Sequence, residues 1–251
     1  MTTKGDVLDT SSTRKDYMRR VYSAYWLNKS TRVQSYDRNL CDLIVSVAPA
    51  HGRLLEVASG TGRPFSLELV HRGYGMHGVD IADSLVRESY RLDPGILACV
   101  GDAERLPFLP QTFDVTFCFH STFYFPDLPR ALDEMIRVTK SSGHILFDIQ
   151  NAEHPDIALA YARRRSSATG NGRWLRYGKN LAKVVLRRGF PDWSSVVREV
   201  PSDWRAIGAQ LQSRGVKEIR LLGRDPDANL EPIPDDSHAN EFARLLYIGR
   251  I

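Results

Sequence analysis

Cysteine is scarce in this chain. Cys41, Cys99 and Cys118 are the only three in 251 residues, and no two form a C-x-x-C pair. Cys99 and Cys118 fall in strand-like runs, so free buried thiols are expected, in a reducing compartment, and a disulfide scaffold is excluded. No apolar run approaches the roughly 20 residues that a membrane-spanning helix requires. The opening MTTKGDVLDTSSTRKDY is polar and has no apolar signal core, so a cytoplasmic protein is expected. Histidines and acids do not cluster at metal-ligand spacing, as H-x-x-x-H would, so no catalytic metal is expected. Internal repeats and strong low-complexity segments are missing too. What remains is a length that fits one large domain, or one with a sizeable insertion, and buries an ample core.

Charge is present but unevenly spread. The whole chain carries +4, residues 157–191 carry +9 with no Asp or Glu, and the remainder is therefore −5. The basic segment includes RWLRYGKNLAKVVLRR, in which Trp174, Tyr177, Leu181 and Val184/Val185 fall near one helical face. A solvated helix packing on its own domain accounts for that pattern. So does a basic amphipathic helix making peripheral contact with an anionic membrane, a steering patch for an anionic or phosphorylated small molecule, or an RNA-binding stripe.

Residues 1–13 read as disordered and 14–48 as helical, with Tyr17, Tyr22, Tyr25, Trp26 and Tyr36 among them. A regular alternation follows. Strand-like runs at 53–58, 74–81, 96–102, 113–119 and 144–150 are separated by short helical patterns, PFSLELVHRG among them, with Pro64 in its first turn and Gly73 past its end. Asp83 could cap the next helix. PRALDEMIRVTKSSG reads as a helix with Leu132, Met135, Ile136 and Thr139 on one face. After a break over 152–200, SDWRAIGAQLQSRG restores a helix, and VKEIRLLGRD and EFARLLYIGRI read as two last strands joined by a Pro/Asp-rich loop. This alternation predicts an α/β, Rossmann-like domain over 1–251. A seven-stranded, mostly parallel sheet with helices on both faces is expected, with an antiparallel last strand. Residues 1–48 are expected to form a helical lid, and 152–200 a basic insertion or substrate cap after strand 5.

Ligands of such sheets sit at the carboxyl ends of the strands. Three acids occupy that edge: Glu56, Asp80 and Asp102 end the first three strands. In LLEVASGTGRPF, Gly60 and Gly62 allow a sharp turn and close approach of a ligand. Asp80 lies 20 residues beyond Gly60, the spacing at which a carboxylate receives ribose hydroxyls. A dinucleotide is disfavoured: Phe65 stands at the third glycine position, Pro64 removes an N–H donor, and Glu56 brings negative charge towards the site. An adenosyl ligand with a cationic end fits better. Taken singly, Glu56 also suits a turn cap and Asp102 a helix cap; their combination with the glycines and Asp80 favours a ligand.

The ordered segments LLEVASGTG, GVDIAD, GDAERLPF, FDVTFCFHSTFYFPD and EMIRVTKSSGHILFDI resemble the motifs of class I S-adenosylmethionine-dependent methyltransferases, over about residues 53–150. The resemblance implies S-adenosyl-L-methionine as cofactor. It implies that Ala58, Gly60 and Gly62 pack against the methionine part and that Glu56 faces its ammonium through water. Asp80 would then bind the ribose, Ile81 lie on the adenine, Asp102 take the adenine amino group, Ala103 offer its N–H, and Phe119 offer a carbonyl to the ammonium. Ala58 stands where the family has its first glycine, and KSSG where it often has Lys-Pro-Gly-Gly.

An oxygen acceptor needs a base, because a protonated hydroxyl is a poor nucleophile. His120 and Tyr124, just past the fourth strand, are the catalytic candidates, and His154 is a third. Packing in the site wall is the plainer alternative for His120. FHSTFYF lacks the Asn/Asp-Pro-Pro-aromatic signature of DNA-amine methyltransferases, and no Pro-Cys pair is present, so a nucleic acid is disfavoured. The acceptor expected is a small molecule or sugar, methylated on oxygen or nitrogen. From FDIQN onward the chain also resembles methyltransferases of bacterial cell-surface polysaccharide pathways. The competing readings are an RNA-modifying enzyme, a membrane- or nucleic-acid-binding protein, and a scaffold that merely retains the fold.

Overall fold

The computed structural model describes residues 11–19, 23, 27, 35–168, 199–225, 229–234 and 236–251. Expectations for residues 1–10, for Tyr22, Tyr25 and Trp26, and for 169–198, the greater part of the basic segment, lie outside the described residues. Among the described residues two helices come first, α1 (Ser11–Tyr17) and α2 (Ser35–Val47). The alternation then runs β1 (Arg53–Val57), α3 (Phe65–His71), β2 (Gly75–Asp80), α4 (Asp83–Leu92), β3 (Leu97–Val100), β4 (Phe113–Cys118), a short 3-10 turn (Thr122–Tyr124), α5 (Leu128–Val138), β5 (Thr139–Gln150) and α6 (Pro155–Ala168). The chain finishes with α7 (Trp204–Ser213), β6 (Lys217–Arg224), β7 (Leu230–Pro232), α8 (Asp236–Ala239) and β8 (Arg244–Arg250).

The strands form one eight-stranded sheet in the order β3-β2-β1-β4-β5-β8-β6-β7. From β3 to β5 every pairing is parallel, and β8 runs antiparallel between β5 and β6. The α/β expectation holds, with one strand more than the seven expected. The extra strand, β7, lies in the Pro/Asp-rich loop and pairs antiparallel with β6. Pro232 removes one ladder donor, which an edge strand tolerates.

Both faces of the sheet are buried because successive strand residues alternate faces. Leu54, Leu146, Leu246 and Ile248 meet α2 and α3 through Leu40, Ile44, Phe65 and Leu69. Leu55, Phe147, Ile149, Leu245 and Tyr247 meet α5 and α7 through Leu132, Met135, Ile207 and Leu211. Each such side chain contributes roughly 1.5–3 kcal/mol on burial.

Local boundaries differ from expectation at α4 and α5. Ala82, not Asp83, takes the cap position of α4, and Asp83 is its first helical residue. Asp127 caps α5 by accepting the Arg130 N–H at 3.1 Å. That helix stops at Val138, and the segment expected to extend it, Thr139–Gly143, begins β5 instead. Gly143 packs so close to Asp114 that a Cβ would lie 2.5 Å from the Asp114 carbonyl oxygen. That approach is a sheet contact no helical pattern reveals.

Candidate active site

The chain steps outward from β1 to β2 and β3, then returns to β4 on the other side of β1. The strand tips diverge at that reversal and open a crevice. A cavity of about 1270 Å³ lies there.

The turn after β1 is a run of unusual backbone. Ala58 has φ +59°, Gly60 +56° and Gly62 +79°. The Ser59 N–H donates to the Val79 carbonyl at 3.0 Å and Gly62 N–H to the Ser59 carbonyl at 2.8 Å, which folds the turn over the β2 tip. The Gly60 N–H donates to Asp80 Oδ2 at 2.9 Å, and the Ala82 N–H to Asp80 Oδ1 at 2.8 Å. Burial pushes the Asp80 carboxyl up from its ordinary value, against the pull of those N–H donors. Glu56 is buried and accepts from the Ser66 N–H at 3.2 Å and Oγ at 2.5 Å, so part of its capacity is spent on the start of α3. Burial pushes it to about 8, which keeps the carboxyl largely protonated near neutral pH until a cation approaches.

Of the expected cofactor residues, Glu56, Ala58, Gly60, Asp80, Ile81, Asp102, Ala103 and Phe119 all line the cavity. Gly62 does not. A Cβ on it would lie 2.8 Å from Ile96 Cδ1 and 3.3 Å from Ser89 Oγ, so this glycine admits α4 and the start of β3 against the turn. Asp102 is already engaged: Oδ2 receives Lys15 Nζ at 2.8 Å and Oδ1 the Glu104 N–H at 3.0 Å. Lys15 also reaches Glu104 Oε2 at 2.5 Å, and Glu104 Oε1 accepts the Asp127 N–H at 3.0 Å. Desolvation works against the Lys15 charge, yet the two carboxylates more than offset it and raise its pKa.

His120 and Tyr124 line the same cavity. His120 has φ +60°, a conformation pinned by its N–H donating to Asp148 Oδ1 at 2.7 Å. Its Nδ1 lies 3.5 Å from Asp148 Oδ2, its Nε2 3.4 Å from Asp37 Oδ1, and its ring stacks on Phe65 with centroids 5.8 Å apart. Burial alone would push the imidazole down, but the two carboxylates lift it to about 9. As arranged, His120 keeps its proton at neutral pH and presents a donor, which departs from the proton acceptor expected of it. Asp148 is fully buried. Burial would raise it, but the His120 contacts and Arg244, whose Nη1 lies 3.0 Å away, hold it below the ordinary carboxylate range. Arg244 also lies over the Phe123 ring, 4.6 Å from its centroid. Tyr124 Oη donates to Glu199 Oε1 at a long 3.4 Å, while Gln150 Nε2 holds Glu199 Oε2 at 3.0 Å. His154 does not line the cavity, and its Nδ1 is buried without a hydrogen-bond partner.

Lys15, Asp37, Glu104, Asp148, Glu199, Arg224 and Arg244 were not foreseen as site residues. Asp148 had a signal, because it stands near the end of a strand as Glu56, Asp80 and Asp102 do. Lys15 and Asp37 carry none, since helices remote in sequence bring them in.

A family model described as a methyltransferase domain matches residues 55–147. The chain is 36% identical over 95 residues to a demethylmenaquinone methyltransferase of Beutenbergia cavernae, a match covering 38% of this chain and only 39% of that one. It is 30% identical over 188 residues to a malonyl-[acyl-carrier protein] O-methyltransferase of Erwinia pyrifoliae, covering 68% of each. The chain belongs to the class I S-adenosylmethionine-dependent methyltransferases. Their fold is shared: a SAM-dependent methyltransferase of Thermotoga maritima superposes with a TM-score of 0.57 over 94% of this chain and 97% of that one, at 16% identity.

S-adenosylmethionine is the cofactor of this methyltransferase, and the residues present fit it. A Cβ on Gly60 would project into open space with no neighbour within 4 Å, so the turn leaves a cradle at the cavity wall. Asp80 takes the Gly60 N–H on Oδ2 and the Ala82 N–H on Oδ1, with the Ile81 N–H beside them, and a carboxylate with about four acceptor sites retains capacity for a hydroxyl. Among the described residues, no group of three or more His, Cys, Asp or Glu is placed to hold a metal ion, and no helix is long and apolar enough to cross a membrane.

Proposed function

We propose that this methyltransferase transfers a methyl group to an oxygen or nitrogen of a small molecule bound over the tips of β4 and β5. The observation that carries the reading is the continuity of one cavity from the Gly60–Asp80 turn to His120 and Tyr124. Asp80 would hold the ribose hydroxyls, Ile81 the adenine face, and Asp102 with the Ala103 N–H the adenine edge. Glu56 and Phe119 would meet the methionine ammonium, and Ala58 and Gly60 its chain. When bound, S-adenosylmethionine supplies a methyl group activated by a cationic sulfur.

The chain's own contribution is positioning, the larger part of the rate in a displacement of this kind. Phe119, Phe123 and Phe125 line the cavity and would keep water from the reacting centre. His120 and Tyr124 present hydrogen-bonding groups at the acceptor end. For a hydroxyl acceptor, His120 could take the proton only after losing its own. The relatives named above act on a quinone precursor and on a carrier-bound malonyl group, which supports a small-molecule acceptor. Free Cys41, Cys99 and Cys118 support a reducing, cytoplasmic setting. The basic segment 157–191 is proposed to steer an anionic acceptor or to touch an anionic membrane.

The test is calorimetry with S-adenosylhomocysteine, followed by an acceptor screen with labelled methyl donor. Saturable binding and transfer to a small molecule are expected. Transfer to RNA alone would overturn the acceptor class.

A further inference from the structure

Both ends of the cavity are met by a charged side chain from the N-terminal helices. At the nucleoside end, Lys15 of α1 places its ammonium on Asp102 and Glu104, 2.8 and 2.5 Å away. At the acceptor end, Asp37 of α2 places Oδ1 3.4 Å from His120 Nε2. Each has the charge that complements the groups it meets. Lys15 stands where an N–H donor of the adenosyl ligand is expected, so the site groups at that end are partnered by a chemical stand-in for the ligand. The same logic applied to Asp37 identifies the acceptor.

We propose that the acceptor presents an anionic oxygen, a carboxylate or the oxyanion of an acidic hydroxyl, to His120 Nε2 in the place Asp37 holds here. The proposal rests on the methyl-transfer reading and deepens it. The supporting geometry extends beyond Asp37. Asp148 holds His120 by its main-chain N–H and by Nδ1, and Nε2 is the edge that meets Asp37. The same Asp148 anchors Arg244, and Arg224 stands in direct cross-strand register with Arg244 at the β6/β8 tips. Both arginines line the cavity. Asp148 stands between two cations, His120 and Arg244, and Asp37 is the second carboxylate on His120. An acceptor anion in the place of Asp37 would keep a second negative charge on His120.

The step needs no base. An acceptor oxygen lone pair forms the O–CH3 bond as the C–S bond breaks and its electron pair returns to sulfur. One negative and one positive charge disappear together, and no proton moves. His120 hydrogen-bonds and aims the oxyanion, and Asp148 is a positioning residue acting through it. A neutral amine would instead keep Asp37 in place as acceptor for its N–H, so the two cases forecast opposite effects of removing that carboxylate.

The probes are phenylacetate and its near-isosteric amide, phenylacetamide, whose ring the phenylalanine-walled cavity can accommodate. Each is titrated into the full chain saturated with S-adenosylhomocysteine, with the His120 ring followed by NMR. The acid is expected to bind about tenfold more tightly than the amide, as one charge-assisted hydrogen bond would give, and to shift the His120 resonances. Asp37→Asn and Asp37→Ser should both tighten the acid several-fold, and His120→Gln should erase its preference over the amide. Equal binding of acid and amide, no binding of the acid, or weaker acid binding in both Asp37 variants overturns the proposal. S-adenosylhomocysteine affinity is measured separately: its absence in the wild-type chain would count against the cofactor site, whereas its presence with no acid preference rejects only the acceptor assignment.

Discussion

The Gly60 main-chain N–H and Asp80 Oδ2 lie 2.9 Å apart, so the turn after β1 is tied to the carboxylate that ends β2. One residue thereby shapes the loop and is the proposed ribose acceptor. Asp80→Ala should weaken S-adenosylhomocysteine about 10- to 100-fold, the range for losing hydrogen bonds to a charged group. Calorimetry measures this directly, and unchanged affinity would reject the ribose assignment.

Glu56, buried with Ser66 and pushed to about 8, must give up its proton to face an ammonium. Cofactor binding at about pH 7 should therefore release protons, seen as a buffer-dependent heat, and affinity should climb towards pH 8. In Glu56→Gln the proton release should vanish. The stability effect has a definite sign. A folded-state value raised above the unfolded one favours folding fully below about pH 4.5, and the contribution is lost as pH rises through about 8. Glu56→Gln should gain Tm relative to wild type across that interval.

His120 shows the same sign for a different reason. Asp148 and Asp37 raise it to about 9, so its stabilisation is complete below about pH 6.5 and disappears as pH passes about 9. An NMR titration of the ring should find a midpoint well above that of an ordinary histidine. Asp37→Asn should lower it, and a midpoint near the ordinary value in the wild-type chain would refute the two-carboxylate clamp.

Ala58 and Gly62 both have positive φ but should respond oppositely to substitution. Ala58, at +59°, carries the steric cost of a Cβ there, so Ala58→Gly should stabilise the fold by about 0.5–1 kcal/mol after the unfolded-state entropy offset. Gly62→Ala adds a Cβ 2.8 Å from Ile96 Cδ1 at φ +79° and should destabilise by about 2 kcal/mol. Urea midpoints measure both.

Lys15 and adenine are expected to share one carboxylate, Asp102. Lys15→Met should tighten S-adenosylhomocysteine several-fold and reduce the salt dependence of binding, since a part-buried ion pair no longer has to be rearranged. Weaker binding in the variant would mean that Lys15 supports the ligand site rather than competing for it.

The parallel sheet was legible in the sequence because its signals are local. Strand-length apolar runs with buried faces alternate with helix patterns, and small residues punctuate them. The strand-tip acids were legible because a strand's end fixes where its last side chains go, so spacing alone places Asp80 beside the glycine turn. Local signals fail where the partner is remote. KSSG reads as the end of a helix, but pairing of the flanking Thr139 and His144 with β4 places it in β5. Gly62 reads as a ligand glycine, but packing against Ile96 decides its use. The state of His120 could not be read at all, because it depends on two carboxylates, Asp37 from α2 and Asp148 from β5, that only the folded chain brings within 3.5 Å. Sequence thus determined which strands form and what their tips offer. Tertiary structure decided which charges face one another, because electrostatic energy depends on distance and burial, and neither is a property of neighbours along the chain.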